Sequence, residues 1–92
     1  VPSEYQGLRT LYLVISDDKG NPVPATNPIK AQTVVNNQKM DIIAVKAKDV
    51  DITENQRLSM VYDLEDKLAA GYYRVAIYTD IGMLGASSLR LR

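Results

Sequence analysis

The chain has 92 residues, of which 46% are apolar and 24% are charged, and its eleven Lys and Arg residues balance eleven Asp and Glu residues. This composition excludes an intrinsically disordered chain, which has few apolar residues and a large net charge. The balanced charge argues against a general electrostatic interaction with nucleic acid. No apolar run has the length of a membrane span, so we expect no membrane insertion.

Two residue types on which much enzyme chemistry depends are missing, because the sequence contains neither Cys nor His. Disulfides, thiolate nucleophiles, zinc fingers and Ser–His–Asp triads therefore cannot be built from this chain alone. The remaining acidic residues would need a substrate cleft to work as a pair, and a domain of this size offers little room for one. We expect a protein that is not an enzyme, with no catalytic residues and no cofactor.

Apolar and polar residues alternate with a period of two through most of the chain, which is typical of β-strands. We expect one domain over residues 1–92 that begins with an extended segment over residues 1–7. The predicted strands are 8–15, 29–35, 40–48, 58–64, 72–79 and 85–92. Between the first two, the prolines at positions 22, 24 and 28 remove backbone donors and predict a loop or edge segment.

Residues 51–71 also allow a helix. Asp51 would be its N-cap, Glu54 would complete a capping box, and Gly71 would follow its last turn. We favour a strand over 58–64, because the next segment, 72–79, alternates clearly and is rich in β-forming residues. The alternative is an α+β fold with one helix near 52–70 on an antiparallel sheet.

The segment around Leu68, Gly71 and Tyr73 resembles the corner before strand F in immunoglobulin-like and fibronectin type III-like sandwiches. The sequence Leu-Ala-Ala-Gly-Tyr-Tyr over 68–73 is followed by alternating β-formers. The turn over 18–25, Asp-Lys-Gly-Asn-Pro-Val-Pro-Ala, resembles the A–B turn of bacterial surface immunoglobulin-like modules. The resemblance implies an all-β, immunoglobulin-like antiparallel β-sandwich of six or seven strands, in which the Tyr73 hydroxyl bonds to backbone at the corner. The core Trp and the Cys pair of antibody domains are absent.

Four residues near the C-terminus are candidates for binding a ligand or partner. Alternation places Tyr72, Arg74 and Tyr78 on the face of the strand opposite Tyr73, and Arg90 is expected to point outward from the last strand. Tyr and Arg are the residue types most enriched in binding hot spots. The competing interpretation is that the tyrosines cover the flank of the sandwich and that Arg90 guards the sheet against edge pairing.

Oxygen-bearing side chains recur at Asp49, Asp51, Thr53 and Asn55, which is how a calcium loop begins. The remainder of an EF-hand loop is missing, since Glu54 stands where Gly is required and Met60 where the bidentate Glu belongs. We therefore favour a polar turn between strands over a metal site formed by Asp49, Asp51 and Asn55.

These observations predict a non-catalytic structural or protein-interaction module that contacts a protein partner, or other domains of the same precursor, through edge strands and loops. Homo-oligomerisation is left open. Since the sequence begins with Val1, a processed or excised product is expected, and we expect it at the cell surface, in the periplasm or secreted. The alternatives are a small-ligand module that binds carbohydrate or calcium, and a structural component of a phage or virion.

Overall fold

The computed structural model describes residues 2–53 and 57–92, which form six strands in two antiparallel sheets. The strands are β1 (Gly7–Asp17), β2 (Ile29–Val35), β3 (Gln38–Ala44), β4 (Lys46–Ile52), β5 (Gly71–Tyr78) and β6 (Met83–Leu91). One sheet has the order β4-β1-β5-β6, and the other is the hairpin β2-β3. The predicted all-β fold class is therefore confirmed, and its architecture is that of a six-stranded β-sandwich.

Strand β1 is one of the two inner strands of the larger sheet, and both of its faces carry apolar side chains. Leu11, Leu13 and Ile15 are buried on one face, as their alternation predicted, while Tyr12 and Val14 pack on the other. β1 pairs with β4 on one side and with β5 on the other. A strand that is apolar on both faces is stable only when both faces of its sheet are covered.

The hairpin β2-β3 covers one face of the larger sheet. Its turn is formed by Asn36 and Asn37, whose φ angles are +51° and +63°. Two consecutive left-handed residues are what a two-residue turn between antiparallel strands requires, and Asn tolerates this conformation. The hairpin packs against the sheet through Ile42, which forms a cluster with Ala76 and Tyr78.

The predicted strand over 40–48 is divided in two by a bend at Val45, and this corrects the sequence prediction. β3 ends at Ala44 in the hairpin, whereas β4 begins at Lys46 in the larger sheet. The Val45 amide donates to the Leu13 carbonyl at 2.8 Å, which fixes the bend against β1. The alternation runs through this point without a Gly or Pro, so the sequence carries no signal for the change of sheet.

Residues 57–70 form neither the predicted strand nor the alternative helix. Leu58, Met60 and Tyr62 nevertheless pack against the core and cover the second face of the larger sheet, whereas Leu64, the next residue of the same alternating series, is 41% exposed. The segment has no ladder of backbone bonds because it lies over this face rather than along an edge. Within residues 2–53 and 57–92, no helix has the length and apolar character needed to span a membrane.

Residues 1–7 were expected to form an extended segment, but the structure shows that this segment is not extended throughout. Ser3–Tyr5 form a short 3-10 helix that directs the Tyr5 side chain into the core. The Tyr5 ring reaches the turn between β5 and β6, where its hydroxyl occupies the space in which Gly82 would carry a Cβ atom. Arg9 strengthens this attachment through an ion pair with Asp80 at 2.8 Å.

Candidate partner-binding surface

Strand β6 is the outermost strand of the larger sheet, and in the described residues it pairs only with β5. Residues 85–90 are exposed without interruption. No charged side chain occurs from Met83 to Leu89, where the sequence is Met-Leu-Gly-Ala-Ser-Ser-Leu. An outer strand with unpaired backbone groups and uncharged side chains is a template for pairing with another chain.

The direction of the β6 backbone groups follows from a bond made by β1. The Leu13 carbonyl accepts from Val45, so the backbone groups of Leu13 point toward β4. The backbone N–H and C=O of one residue in a strand point to the same neighbouring strand. Leu13 therefore points neither group at β5, and Leu13 and its β5 neighbour Ile77 are a non-hydrogen-bonded pair. Ile77 therefore turns its backbone groups toward Gly85 of β6. The residues of β6 whose backbone N–H and C=O groups point to the open edge are therefore the alternate ones: Ala86, Ser88 and Arg90.

Strand β4, at the opposite edge, differs in chemistry. Four of its seven residues are charged: Lys46, Lys48, Asp49 and Asp51. Lys46 donates its ammonium group to the Val61 carbonyl, and Lys48 donates to the Ser59 carbonyl at 3.3 Å. Charged side chains discourage edge pairing, and here they also tie down the segment that covers the sheet. Of the two edges, β6 is thus the one open to a partner.

The four predicted binding residues lie on one face of β5 and β6, but only three of them are exposed. Tyr72 is 57% exposed, and Arg90, its neighbour across the strands, places its guanidinium 5.6 Å from the ring centroid. Arg74 is exposed and points one N–H toward the Tyr78 hydroxyl at 3.4 Å. Tyr78 itself is only 5% exposed, so its prediction as a surface residue is wrong. The hairpin β2-β3 covers it, which the sequence of β5 alone could not reveal.

An open groove of about 590 Å³ lies between the hairpin and this face of the sheet. Tyr72, Arg74, Ser88 and Asp17 of the larger sheet line it, together with Asp41 of the hairpin. The Asp17 carboxylate accepts from the backbone amides of Asn21 and Lys19, each at 2.9 Å, and these bonds lower the pKa of Asp17. Arg74 forms no ion pair with any described residue, so its charge remains available to a ligand.

On the opposite face, a smaller apolar cavity of about 240 Å³ adjoins the β6 edge. Its lining consists of Leu58, Ile77, Leu84 and Gly85. A Cβ atom at Gly85 would have no neighbour within 4 Å, so the strand is open above this residue. Leu89, four residues along on the same face, is 43% exposed. The edge therefore presents an apolar hollow at Gly85 and a partly exposed leucine four residues away.

The predicted metal-binding residues do not form a loop. Asp49 and Asp51 lie within β4, so the expected polar turn at this position is also wrong. The Asp49 carboxylate accepts from the Thr10 hydroxyl at 2.7 Å, a contact across the strands. Asn55 lies outside the described residues. In the described ranges, no three acidic side chains come together as a group that could hold a metal ion.

The corner before β5 has the geometry expected from its sequence. The buried Tyr73 donates its hydroxyl to the Ala69 carbonyl, four residues earlier, at 2.7 Å. Gly71, which begins β5, has a φ angle of +146°, a conformation that side chains disfavour. Leu68 packs against the core cluster that contains Tyr73 and Leu13. These three residues hold residues 57–70, the segment that covers the larger sheet, against that sheet.

Residues 2–92 match a family model described as Domain of unknown function (DUF8428). The match covers almost the whole chain. The chain belongs to this family. No curated protein and no solved structure matches the chain. The family description names no activity, so the function of this DUF8428 member must be inferred from its geometry.

Sequence reasoning missed three residues of the β6 surface in this DUF8428 member: Gly85, Ser88 and Leu89. Leu89 shares the face of Tyr73, its neighbour across the strands, and lies at the rim of the sheet. The sequence feature that marks this surface is the uncharged run from Met83 to Leu89, which contrasts with the charged residues of β4. That contrast becomes informative only once the strand order shows which strands are outermost.

Proposed function

We propose that this chain is a non-catalytic structural and protein-interaction module of the immunoglobulin-like sandwich class, which works outside the cytoplasm. Its partners bind along β6 and the neighbouring loops. The observation that carries the proposal is the asymmetry of the two edges of the larger sheet, since β4 carries charged side chains and β6 presents an unpaired edge that is uncharged from Met83 to Leu89. Addition of a strand to such an edge is a general mode of peptide recognition.

The immunoglobulin-like assignment is supported by two local features. The bond from Tyr73 to the Ala69 carbonyl is a tyrosine-corner contact, which recurs in immunoglobulin-like sandwiches. The turn after β1 folds back so that Ser16 and Pro22 form an isolated bridge, as an A–B turn would. The extracytoplasmic location is proposed from the resemblance of this turn to that of bacterial surface modules.

Selection from a displayed library of extended peptides tests the interaction role. We expect enriched peptides that alternate apolar and polar residues, because an added strand would present one face to the apolar cavity and the other to the groove. Their binding should be lost in Ser88→Pro, which removes an amide that points to the open edge, and kept in Ser88→Ala. Failure to enrich any peptide, or binding unaffected by Ser88→Pro, would contradict the proposal.

A second candidate, carbohydrate binding, is favoured by the groove of about 590 Å³, in which Arg74 forms no ion pair with a described residue and Tyr72 offers an exposed ring. A glycan array followed by calorimetry tests it, with Tyr72→Ala and Arg74→Ala as the variants. Loss of a calorimetric signal in both variants would support the groove as the site. A flat response of the wild type to all glycans would rule this candidate out.

A further inference from the structure

We propose that two copies of this chain pair their β6 strands antiparallel, centred on Ser87, and so form one continuous eight-stranded sheet. The inference deepens the proposed function and rests on it, because it names a second copy as an occupant of the β6 edge. It follows from the self-complementarity of β6 in its backbone groups, its side-chain shapes and its charges.

The backbone groups of β6 match those of a second copy in this register. Ala86 and Ser88 both direct N–H and C=O to the open edge, and pairing centred on Ser87 places Ala86 of each copy opposite Ser88 of the other. Residues that face each other in this way exchange both of their backbone hydrogen bonds. Ser87, whose backbone groups point toward β5, meets its own counterpart as a non-hydrogen-bonded pair.

The side chains are complementary in shape in the same register. Leu89 of each copy lies opposite Gly85 of the other, beside the apolar cavity of about 240 Å³. Leu89 is 43% exposed in the single chain, and the space above Gly85 is empty. In each half of the interface, a partly exposed leucine therefore lies opposite the empty space above Gly85. Burial of these two leucines removes apolar surface from water and favours association.

The charges do not oppose this arrangement. Residues from Met83 to Leu89 are uncharged, and antiparallel pairing places Arg90 of each copy opposite Leu84 of the other. The two Arg90 residues are then six positions apart along the strand, about 20 Å at ~3.3 Å per residue. That separation exceeds the Debye length of about 8 Å in physiological salt, so their repulsion is largely screened.

Analytical ultracentrifugation over a series of protein concentrations tests the inference. We expect the wild type to pass from monomer to dimer with a micromolar dissociation constant, since pairing of a single strand buries a small interface. Ser88→Pro should weaken the dimer by more than about tenfold, because each copy loses an edge hydrogen bond. Ser88→Ala, which keeps the amide, should dimerise as the wild type does.

The proline variant keeps the sheet intact, because the Ser88 amide points away from β5, and a melting curve verifies that it folds. A wild type that stays monomeric at every concentration, or a dimer that survives Ser88→Pro, would overturn the inference. If the wild type stays monomeric and binds peptide, and Ser88→Pro abolishes that binding, the dimer inference fails while the proposed interaction role stands.

A cysteine cross-link tests the register, and the chain offers a clean background because it has no Cys. Non-hydrogen-bonded partners have Cα atoms about 4.5 Å apart, which suits a disulfide. Mild oxidation should therefore link Ser87→Cys into a covalent dimer. Gly85→Cys is the matched control, because its counterpart would lie about 13 Å away, four residues along the strand. Equal or better linkage of Gly85→Cys would refute a centre at Ser87.

Discussion

Replacement of Tyr73 by Phe removes one hydroxyl and leaves the ring in place, so it isolates the hydrogen bond at the corner before β5. The hydroxyl donates to the Ala69 carbonyl at 2.7 Å, while the ring is buried in the core cluster with Leu13 and Ile15. Tyr62→Phe is a matched control on the same face. The Tyr62 hydroxyl is also buried, but it has no hydrogen-bond partner among the described residues.

The expected magnitudes follow from what each hydroxyl contacts. Ala69 lies in an exposed stretch, so its carbonyl can bond to water after the substitution, and Tyr73→Phe should cost about 0.5–1.5 kcal/mol. Tyr62→Phe should be neutral or stabilising by up to about 1 kcal/mol, because it removes a buried polar group that is unsatisfied. Burial, together with the nearby Glu65 and Asp66, raises the pKa of Tyr62, which is consistent with a poorly solvated hydroxyl.

Thermal unfolding followed by circular dichroism measures both variants against the wild type. At about 4–8 °C per kcal/mol for a domain of this size, the two melting temperatures should shift in opposite directions or by clearly different amounts. Equal free-energy changes for Tyr73→Phe and Tyr62→Phe would refute the assignment of a stabilising hydrogen bond to the corner.

Three further predictions concern the core and the loops. Gly82→Ala should destabilise the fold by about 1–3 kcal/mol, because the Tyr5 hydroxyl fills the space of the added methyl group, whereas Gly85→Ala should be neutral or stabilising in thermal denaturation. Leu11→Ala should cost about 2–5 kcal/mol in urea unfolding, since Leu11 is 0% exposed; a smaller loss would mean that the core relaxes around it. The lowered pKa of Asp17 gives a stabilisation that is present above its unfolded pKa of about 3.9 and is lost as pH falls through the lower folded value. Asp17→Asn should therefore reduce the acid sensitivity of unfolding, and an unchanged pH profile would show that the turn does not depend on the charge.

The strands that could be predicted from the sequence are those whose residues alternate regularly between two faces. Leu11, Leu13 and Ile15 identified β1, and the alternation over 58–64 placed Leu58, Met60 and Tyr62 on one face although the segment forms no strand. The bend at Val45 could not be predicted, because a change of sheet that preserves alternation needs no Gly or Pro. The burial of Tyr78 was missed for another reason: the hairpin that covers it comes from a distant part of the chain, and periodicity reports only local contacts.

The candidate surface was harder to predict than the fold, since an edge is a property of strand order rather than of a strand. Tyr72, Arg74 and Arg90 were found because their residue types are typical of binding sites, and all three lie beside β6 or on it. Gly85 and Ser88 have no such chemistry. They matter because one leaves space and the other directs an amide outward, and both properties depend on pairing with β5.

If β6 pairs with a second copy and also accepts an extended peptide from another protein, the two partners compete for the same backbone groups. Ala86 and Ser88 can satisfy their outward N–H and C=O only once, and the cavity beside Gly85 holds either Leu89 of a second copy or a side chain of the peptide. Peptide binding would then dissociate the dimer by mass action. Self-association would in turn lower the apparent affinity for the peptide as the protein concentration rises. Self-association would also cover the unpaired edge in the absence of a partner, which protects the sheet from less specific pairing.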